Sequence, residues 1–149
     1  MTTTRLLVPA AIVAALVPVV SGCAASAVTD QRLEGAMLTS FSHLFALQQR
    51  QRGLPVDEAE LNPKARCVRD NPDNRRTGPG EDWVCNLTWR TRAATTGGAT
   101  YSLTVRADGC FTADGDGPID LNGTKTIVAV DGETVFNPLW AFDGCFPLT

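Results

Sequence analysis

The chain has 149 residues, which is enough for one domain with a substantial hydrophobic core and too few for two ordinary domains. Its 13 Lys and Arg residues are outnumbered by 16 Asp and Glu residues, for a formal net charge of −3 at pH 7. The acidic balance, without a basic patch that carries interleaved aromatic residues, argues against nucleic acid as a partner.

The N-terminal stretch has the pattern of an export signal. Arg5 is its one charged side chain and precedes an apolar run from Leu6 to Val20. This run is shorter than the roughly 20 residues that a membrane-spanning helix needs, but it has the length of a signal-peptide core. The run leads into the sequence Val20-Ser21-Gly22-Cys23.

These four residues resemble the lipobox of bacterial lipoproteins, in which an aliphatic residue and two small residues precede the lipid-bearing cysteine. The resemblance implies a diacylglyceryl thioether on Cys23 and cleavage after Gly22. It also implies attachment to the extracytoplasmic face of the cell membrane, since two acyl chains anchor a protein stably. The alternative is an ordinary secretory signal cleaved near Ala24 or Ala27, with Cys23 removed or left as a free thiol.

The cysteine count agrees with lipidation of one cysteine. Five cysteines in an exported chain leave one unpaired, and a lipid on Cys23 removes the odd one. The other four have no CxxC spacing, and the chain has one histidine, so two disulfides are favoured over a metal site. Of the three possible connectivities, local pairing of nearby strands favours Cys67–Cys85 with Cys110–Cys145.

The first element after the leader is a predicted helix that ends near Arg52. Thr29 or Asp30 can cap its start, Gly53 suits the left-handed position after its end, and Pro55 follows. Apolar residues recur at steps of three and four, which is typical of an amphipathic helix. They are Leu33, Met37, Phe41, Leu44 and Phe45. This stripe could be a ligand groove or a partner-helix face, but we favour core packing.

The sequence shows no catalytic signature. His43, the one histidine, falls beside the apolar stripe, which indicates an exposed or half-buried structural role. No nucleophile is spaced around it, and no phosphate loop, nucleophile elbow or carboxylate pair stands out. We therefore expect a non-enzymatic protein that needs no cofactor.

Two connections and a short strand follow the helix. Residues 54–63 form a Pro-bounded connection, which we expect to be a solvated loop or a single helical turn. Ala65 to Asp70 is a predicted strand that contains Cys67. Residues 71–82 are rich in Pro and Gly, with almost nothing that could be buried, and predict a long mobile loop. This loop could be a recognition element or a tolerated insertion.

Alternation of apolar and polar residues predicts the sheet. It runs from Trp83 to Arg90 and, after a Gly97-Gly98 break, from Thr100 to Arg106. Asp108-Gly109 is a two-residue hairpin signal.

A second hairpin signal, Asp131-Gly132, lies between predicted strands from Lys125 to Val130 and from Glu133 to Phe136. The last segment, Asn137 to Thr149, should fold back onto the sheet.

These elements predict an α+β fold. One N-terminal amphipathic helix packs on a meandering antiparallel sheet of about five or six short strands, with two disulfides. Residues 1–22 are the predicted signal peptide, residues 23–28 a tether and residues 29–149 a single domain.

One acidic stretch looks like the middle of a calcium loop of the EF-hand kind. Asp114, Asp116 and Asp120 would be ligands around Gly117, but the usual leading aspartate and closing glutamate are absent. We favour a polar turn between strands. The aromatic residues Trp83, Trp89, Trp140 and Tyr101 could line a sugar or peptide groove, although burial in a small core is their more ordinary role.

Three cysteine-containing segments resemble those of small exported proteins of unknown function from high-GC Gram-positive bacteria. They are Gly78 to Cys85, Ala107 to Pro118 and Asn137 to Cys145. The resemblance implies no activity. We expect a lipid-anchored module that binds another envelope protein or a cell-wall component. The alternative is an accessory lipoprotein of a transport system, or one that binds a small ligand or calcium.

Overall fold

The computed structural model describes residues 28–73, 76–91, 93 and 95–148. The predicted signal peptide, Cys23 and most of the predicted tether lie outside the described residues. Within the described ranges, one α-helix packs on a five-stranded antiparallel sheet, and a two-stranded sheet stands beside it. The predicted α+β class is confirmed.

Helix α1 spans Asp30–Gln51. Thr29 is its N-cap, and the Thr29 side chain accepts a hydrogen bond from the Arg32 amide over 3.3 Å. Gly53 follows the helix with a φ of 72°, a left-handed conformation in which glycine carries no steric penalty. The predicted ends are confirmed. No helix in the described part of the chain is long and apolar enough to cross a membrane.

Seven strands form within the described residues. They are β1 (Lys64–Arg69), β2 (Gly80–Arg90), β3 (Thr96–Val105), β4 (Cys110–Gly117), β5 (Thr126–Val128), β6 (Thr134–Phe136) and β7 (Ala141–Cys145). A single 3-10 turn, Glu58–Glu60, lies between α1 and β1.

The topology departs from the predicted meander at its last step. The main sheet has the order β1-β2-β3-β4-β7, with antiparallel neighbours throughout. After β4 the chain forms the separate β5–β6 hairpin around the predicted Asp131-Gly132 turn and then returns to pair with β4. The expectation of five or six strands in one sheet is therefore corrected to five strands in one sheet and two in another.

Strand β3 begins earlier than the sequence predicted. Gly97 and Gly98, interpreted as a break, instead pair with Trp89 and Thr88 of β2. Backbone groups suffice for that pairing. The missing side chain at position 97 also leaves room for the indole of Trp89, which lies against this glycine. The pair of glycines therefore serves close packing within a strand rather than chain reversal.

The hydrophobic core lies between α1 and the facing side of the main sheet. Burial follows the predicted alternation, because β2 and β3 direct every second residue towards the helix. The helix contributes the buried residues Leu33, Met37, Phe41 and Phe45, and the strands contribute Trp83, Leu87, Trp89, Tyr101 and Leu103. Three of the four aromatic residues considered for a groove are thus core residues, whereas Trp140 is half-buried.

Both predicted disulfides are present. Cys67 is bonded to Cys85 across β1 and β2, and Cys110 is bonded to Cys145 across β4 and β7. Each bond joins residues that lie directly opposite in an antiparallel pair, with Cα atoms 4.1 and 3.9 Å apart. The two bonds secure both edge strands of the main sheet to their neighbours.

The second part of the predicted 71–82 loop is held against the start of the helix. Nη2 of Arg69 donates to the carbonyl oxygens of Thr77, Gly78 and Pro79 at 3.1, 2.8 and 3.0 Å. The amide of Gly78 donates to the carbonyl oxygen of Val28 over 2.9 Å. These bonds anchor a segment whose composition alone suggested mobility.

Candidate functional site

An apolar cleft opens beside the C-terminal half of α1. Its volume is about 860 Å³, within the range of roughly 300–1,000 Å³ that is typical of small-molecule sites. The helix, the connection to β1, and the end of β2 provide its walls. The apolar side chains of this surface, here called the Trp89 cleft, are Phe45, Leu54, Pro55, Val56, Leu61, Trp89 and Leu121.

Trp89 is held between the helix and the neighbouring strand. Its ring centroid lies 4.9 Å from that of Phe41 and 5.2 Å from that of Phe45. A Cβ atom placed at Gly97 would lie only 2.5 Å from Cε2 of the indole and 2.8 Å from its Nε1. The position of the indole therefore depends on a glycine at residue 97.

The indole N–H of Trp89 is buried, and none of the described residues accepts a hydrogen bond from it. Trp89 is only 6% exposed, so bulk water does not replace the missing acceptor. A buried donor without a partner costs about 1–3 kcal/mol, and the N–H of a buried tryptophan usually has a partner. The N–H edge of the indole faces Gly97 and is shielded from solvent.

The connection that forms the opposite wall is locally braced. Oδ1 of Asp57 accepts a hydrogen bond from the amide of Ala59 over 2.9 Å and caps the 3-10 turn. The amide of Arg90 donates to the carbonyl oxygen of Leu61 over 2.8 Å, which ties the connection to β2. Asn62 adopts a φ of 43°, and asparagine tolerates this left-handed region better than most residues. Of the two predicted alternatives for this connection, a solvated loop or a single helical turn, the structure shows a turn at Glu58–Glu60.

His43 joins the helix to the same turn from outside the cleft. Its Nδ1 lies 2.5 Å from Oε2 of Glu58, and its side chain is 67% exposed. The sequence predicted an exposed or half-buried position for this histidine, and the structure shows it exposed. A polar contact at this exposure contributes little to stability.

Charged residues border the cleft. Asp57, Glu60 and Arg90 belong to its lining and are exposed to solvent. These two carboxylates and one guanidinium give the border of the cleft a formal net charge of −1. The lining also contains the uncharged polar residues Gln49, Asn62 and Thr91.

The candidate calcium ligands are distributed over a strand and a turn. Asp114 and Asp116 lie in β4, and Asp120 lies in the turn that follows. The hydroxyl of Ser102 donates to Oδ2 of Asp116. No group of three acidic, histidine or cysteine side chains in the described ranges is placed to hold a metal ion. The predicted polar turn is corrected as well, because β4 continues through Gly117.

Sequence reasoning included Trp89 among four possible groove residues but missed the cleft around it. The connection that forms the facing wall was predicted only as a loop or a turn. The Pro-bounded segment and the adjacent Gly97-Gly98 pair were the available signals. Neither indicates that residues 54–62 and Trp89 enclose a common space, because that depends on how α1 crosses the sheet.

Comparison of the chain with protein-family models, with curated proteins and with solved structures finds no match.

Proposed function

We propose that this chain is a lipid-anchored lipoprotein of the extracytoplasmic membrane face, and that it binds a small apolar ligand in the Trp89 cleft without catalysing a reaction. The observation that carries the binding function is the cleft itself. It combines a volume of about 860 Å³ with a lining in which apolar side chains predominate. Small-molecule sites are typically concave and lined mainly by hydrophobic and aromatic side chains.

The anchor rests on the resemblance of Val20-Ser21-Gly22-Cys23 to a lipobox. In the proposal, α1 is the amphipathic helix that leads from the anchor to the cleft. Its 22 residues correspond to a length of about 33 Å at 1.5 Å per residue. The anchor precedes its N-terminal end, whereas Phe45 and Gln49 of the cleft lie near its C-terminal end.

A second candidate is the binding of another envelope protein through the β5–β6 hairpin. Val128, Val130 and Phe136 are 65%, 74% and 50% exposed. Clustered exposed apolar side chains are typical of interaction surfaces. Cross-linking in intact envelopes should lose its products in a Val128→Thr, Phe136→Thr variant if this surface is used, and unchanged products would exclude it.

Two glycine variants test the ligand cleft. Titration of the protein in lipid nanodiscs with prodan, an uncharged polarity-sensitive naphthyl ketone, should show saturable binding above that of protein-free nanodiscs. Gly97→Ala should weaken binding about tenfold, because its methyl group would meet the indole at 2.5 Å and displace it.

Gly98→Ala is the matched control, since its methyl group would meet no atom closer than 3.7 Å. It should bind prodan as the unmodified protein does. Absence of saturable binding, or equal binding by the two variants, would overturn the assignment of the ligand site. Thermal unfolding of both variants identifies any general loss of structure.

A further inference from the structure

The β5–β6 hairpin turns apolar side chains towards solvent. Resting on the lipid anchor of the proposed function, we infer that this hairpin docks on the surface of the bilayer that carries the anchor. The uncharged exposed side chains that would make the contact, here called the hairpin face, are those of Thr126, Val128, Val130, Thr134 and Phe136. The composition of this face, its attachment to α1 and the short reach of the preceding chain support the inference.

Alternation along the hairpin separates a buried side from an exposed side. Ile127 is buried, whereas its neighbour Val128 and the cross-strand residues Thr134 and Phe136 are exposed. Clustered exposed apolar side chains mark contact with a protein or a membrane. The hairpin forms a sheet of only two strands, and open strand edges do not enter the hydrocarbon core. Contact is therefore expected at the depth of the lipid headgroups.

The hairpin is fixed against the C-terminal end of α1. The amide of Val130 donates to the carbonyl oxygen of Gln51 over 2.8 Å. A Cβ atom placed at Gly53 would lie 2.7 Å from Cγ2 of Val130. The ring of Phe136 meets that of Trp140 edge-on, with centroids 6.3 Å apart. Because these contacts hold the hairpin to the domain, docking of the hairpin would set the orientation of the whole domain.

The reach of the chain before α1 limits the possible orientations. Five peptide units separate Cys23 from Val28, and in any conformation they span at most about 18 Å. With its N-terminal end towards the bilayer and its axis upright, α1 would hold the hairpin about one helix length, roughly 33 Å, further away. An α1 that lies along the bilayer instead allows the hairpin face to reach lipid.

The proposed anchor favours lipid over a protein partner as the molecule that covers the hairpin face. A short linker gives an effective concentration of about 1 mM or more, so weak apolar contact suffices for docking. The face has only three apolar side chains, those of Val128, Val130 and Phe136. A stable protein interface takes roughly 20–30 residues from each partner.

The charges of the hairpin favour an apolar contact over an electrostatic one. Lys125, Asp131 and Glu133 are exposed and give the hairpin a formal net charge of −1. Anionic lipids attract basic segments, so an acidic hairpin gains nothing from them. We therefore expect docking on zwitterionic lipid and little effect of salt.

Paramagnetic broadening tests this docking in the full lipidated protein. The protein is placed in phosphatidylcholine nanodiscs that contain a lipid with a nitroxide headgroup, and methyl NMR signals are recorded. The signals of Val128 and Val130 should be lost, and addition of 0.5 M NaCl should not restore them. The signals of Leu148, another exposed apolar residue, should persist.

Leu148 also reports the alternative orientation. It lies against Gly109, in the turn that joins β3 to β4. This turn is at the end of the sheet where Gly80 pairs with Val105, and Gly78 nearby bonds to Val28. An upright domain would therefore bring Leu148 closer to the bilayer than Val128, and the pattern of broadening would be reversed.

Val128→Thr, Phe136→Thr should restore the Val130 signals, whereas the control Leu148→Thr should not. Persistent Val128 and Val130 signals in protein that co-purifies with nanodiscs, or their recovery in salt, would overturn the docking and leave the anchor intact. Persistent signals together with envelope cross-links that the double variant loses would assign the face to a protein instead. Protein that fails to co-purify with nanodiscs would overturn the anchor itself.

Discussion

Nε2 of Gln48 donates a hydrogen bond to Oδ1 of Asn137 over 2.7 Å, and both side chains are completely buried. The same Nε2 donates to the carbonyl oxygen of Leu121 over 2.7 Å. Nδ2 of Asn137 donates to the carbonyl oxygens of Leu121 and Thr124 at 2.8 and 2.9 Å. The two amides thus tie the helix to the segments around the β5–β6 hairpin. They also position Leu121, which is part of the cleft wall.

Gln48→Ala and Asn137→Ala should each lower the free energy of unfolding by about 1–3 kcal/mol, because each leaves buried groups without partners. The double variant should lower the free energy of unfolding by less than the sum of the two single effects. The difference, which measures the coupling between the two amides, should be roughly 0.5–3 kcal/mol. Urea unfolding measures all three. The exposed Gln31 provides a control substitution on the same helix. Additive effects of the two variants would show that the amides act independently.

The two disulfides should differ in their response to a dithiol reductant. Cys67 and Cys85 are 1% and 0% exposed, whereas Cys145 is exposed and Cys110 half-buried. Thiol exchange requires direct attack on sulfur, so the accessible bond should be reduced first. Alkylation followed by peptide mass spectrometry gives the order.

Loss of the Cys110–Cys145 bond, which closes a separation of 35 residues, should lower stability by up to about 4 kcal/mol. In a Cys110→Ser, Cys145→Ser variant, mild reductant should still leave Cys67 and Cys85 unalkylated. Earlier reduction of Cys67–Cys85 in the unmodified protein would contradict the predicted order.

Tyr101 should make the protein sensitive to alkaline pH. Burial raises the pKa of its phenol well above the ordinary value of 10.0, and the side chain of Asn122 offsets only part of this effect. The stabilising effect of the neutral phenol is complete below the ordinary pKa. It decreases as the pH rises, because the unfolded chain then releases a proton that the folded chain retains. The expected slope is about 1.4 kcal/mol per pH unit above roughly pH 10.

The chain has one tyrosine, so the rise in near-ultraviolet absorbance that accompanies tyrosinate formation reports this phenol alone. Tyrosinate should form together with unfolding rather than as a separate step. Tyr101→Phe should remove about one proton from the pH dependence of stability in this range. Ionisation at an ordinary pKa in the folded protein would contradict the burial of this residue.

Cys23→Ala should abolish incorporation of a palmitate analogue, because the substitution removes the sulfur that the lipobox resemblance assigns to the thioether. Metabolic labelling followed by gel fluorography measures this directly. Ser21→Ala keeps a small residue in the motif and should leave labelling intact. Labelling that persists in Cys23→Ala would show that a residue other than Cys23 carries the acyl group.

Features that depend on neighbouring residues were predictable. Thr29 and Gly53 define the helix ends because capping interactions extend over only a few residues. The buried faces of β2 and β3 follow from alternation, since successive side chains of a strand point to opposite sides. The disulfide pairing followed from the expectation that nearby strands pair with each other.

Features that depend on distant contacts were not predictable in this way. Gln48 has the sequence environment of an ordinary polar helix residue, yet its partner Asn137 lies 89 positions away. The glycine pair at positions 97 and 98 was interpreted as a break, because nothing local indicates that an indole from the adjacent strand needs that space. The pairing of β7 with β4 likewise depends on contacts between residues that are distant in the sequence.

The amino-acid sequence alone therefore predicted the helix and the strand faces from local periodicity, the disulfide pairs from the pairing of nearby strands, and the anchor from a short motif. The tertiary structure alone decided the Trp89 cleft, the buried amide pair and the position of the last strand. The cleft arises where α1, the 54–62 connection and β2 meet. The amide pair joins α1 to Asn137 and Leu121, and β7 pairs with β4. The free energy of such contacts depends on three-dimensional packing rather than on neighbours in the chain.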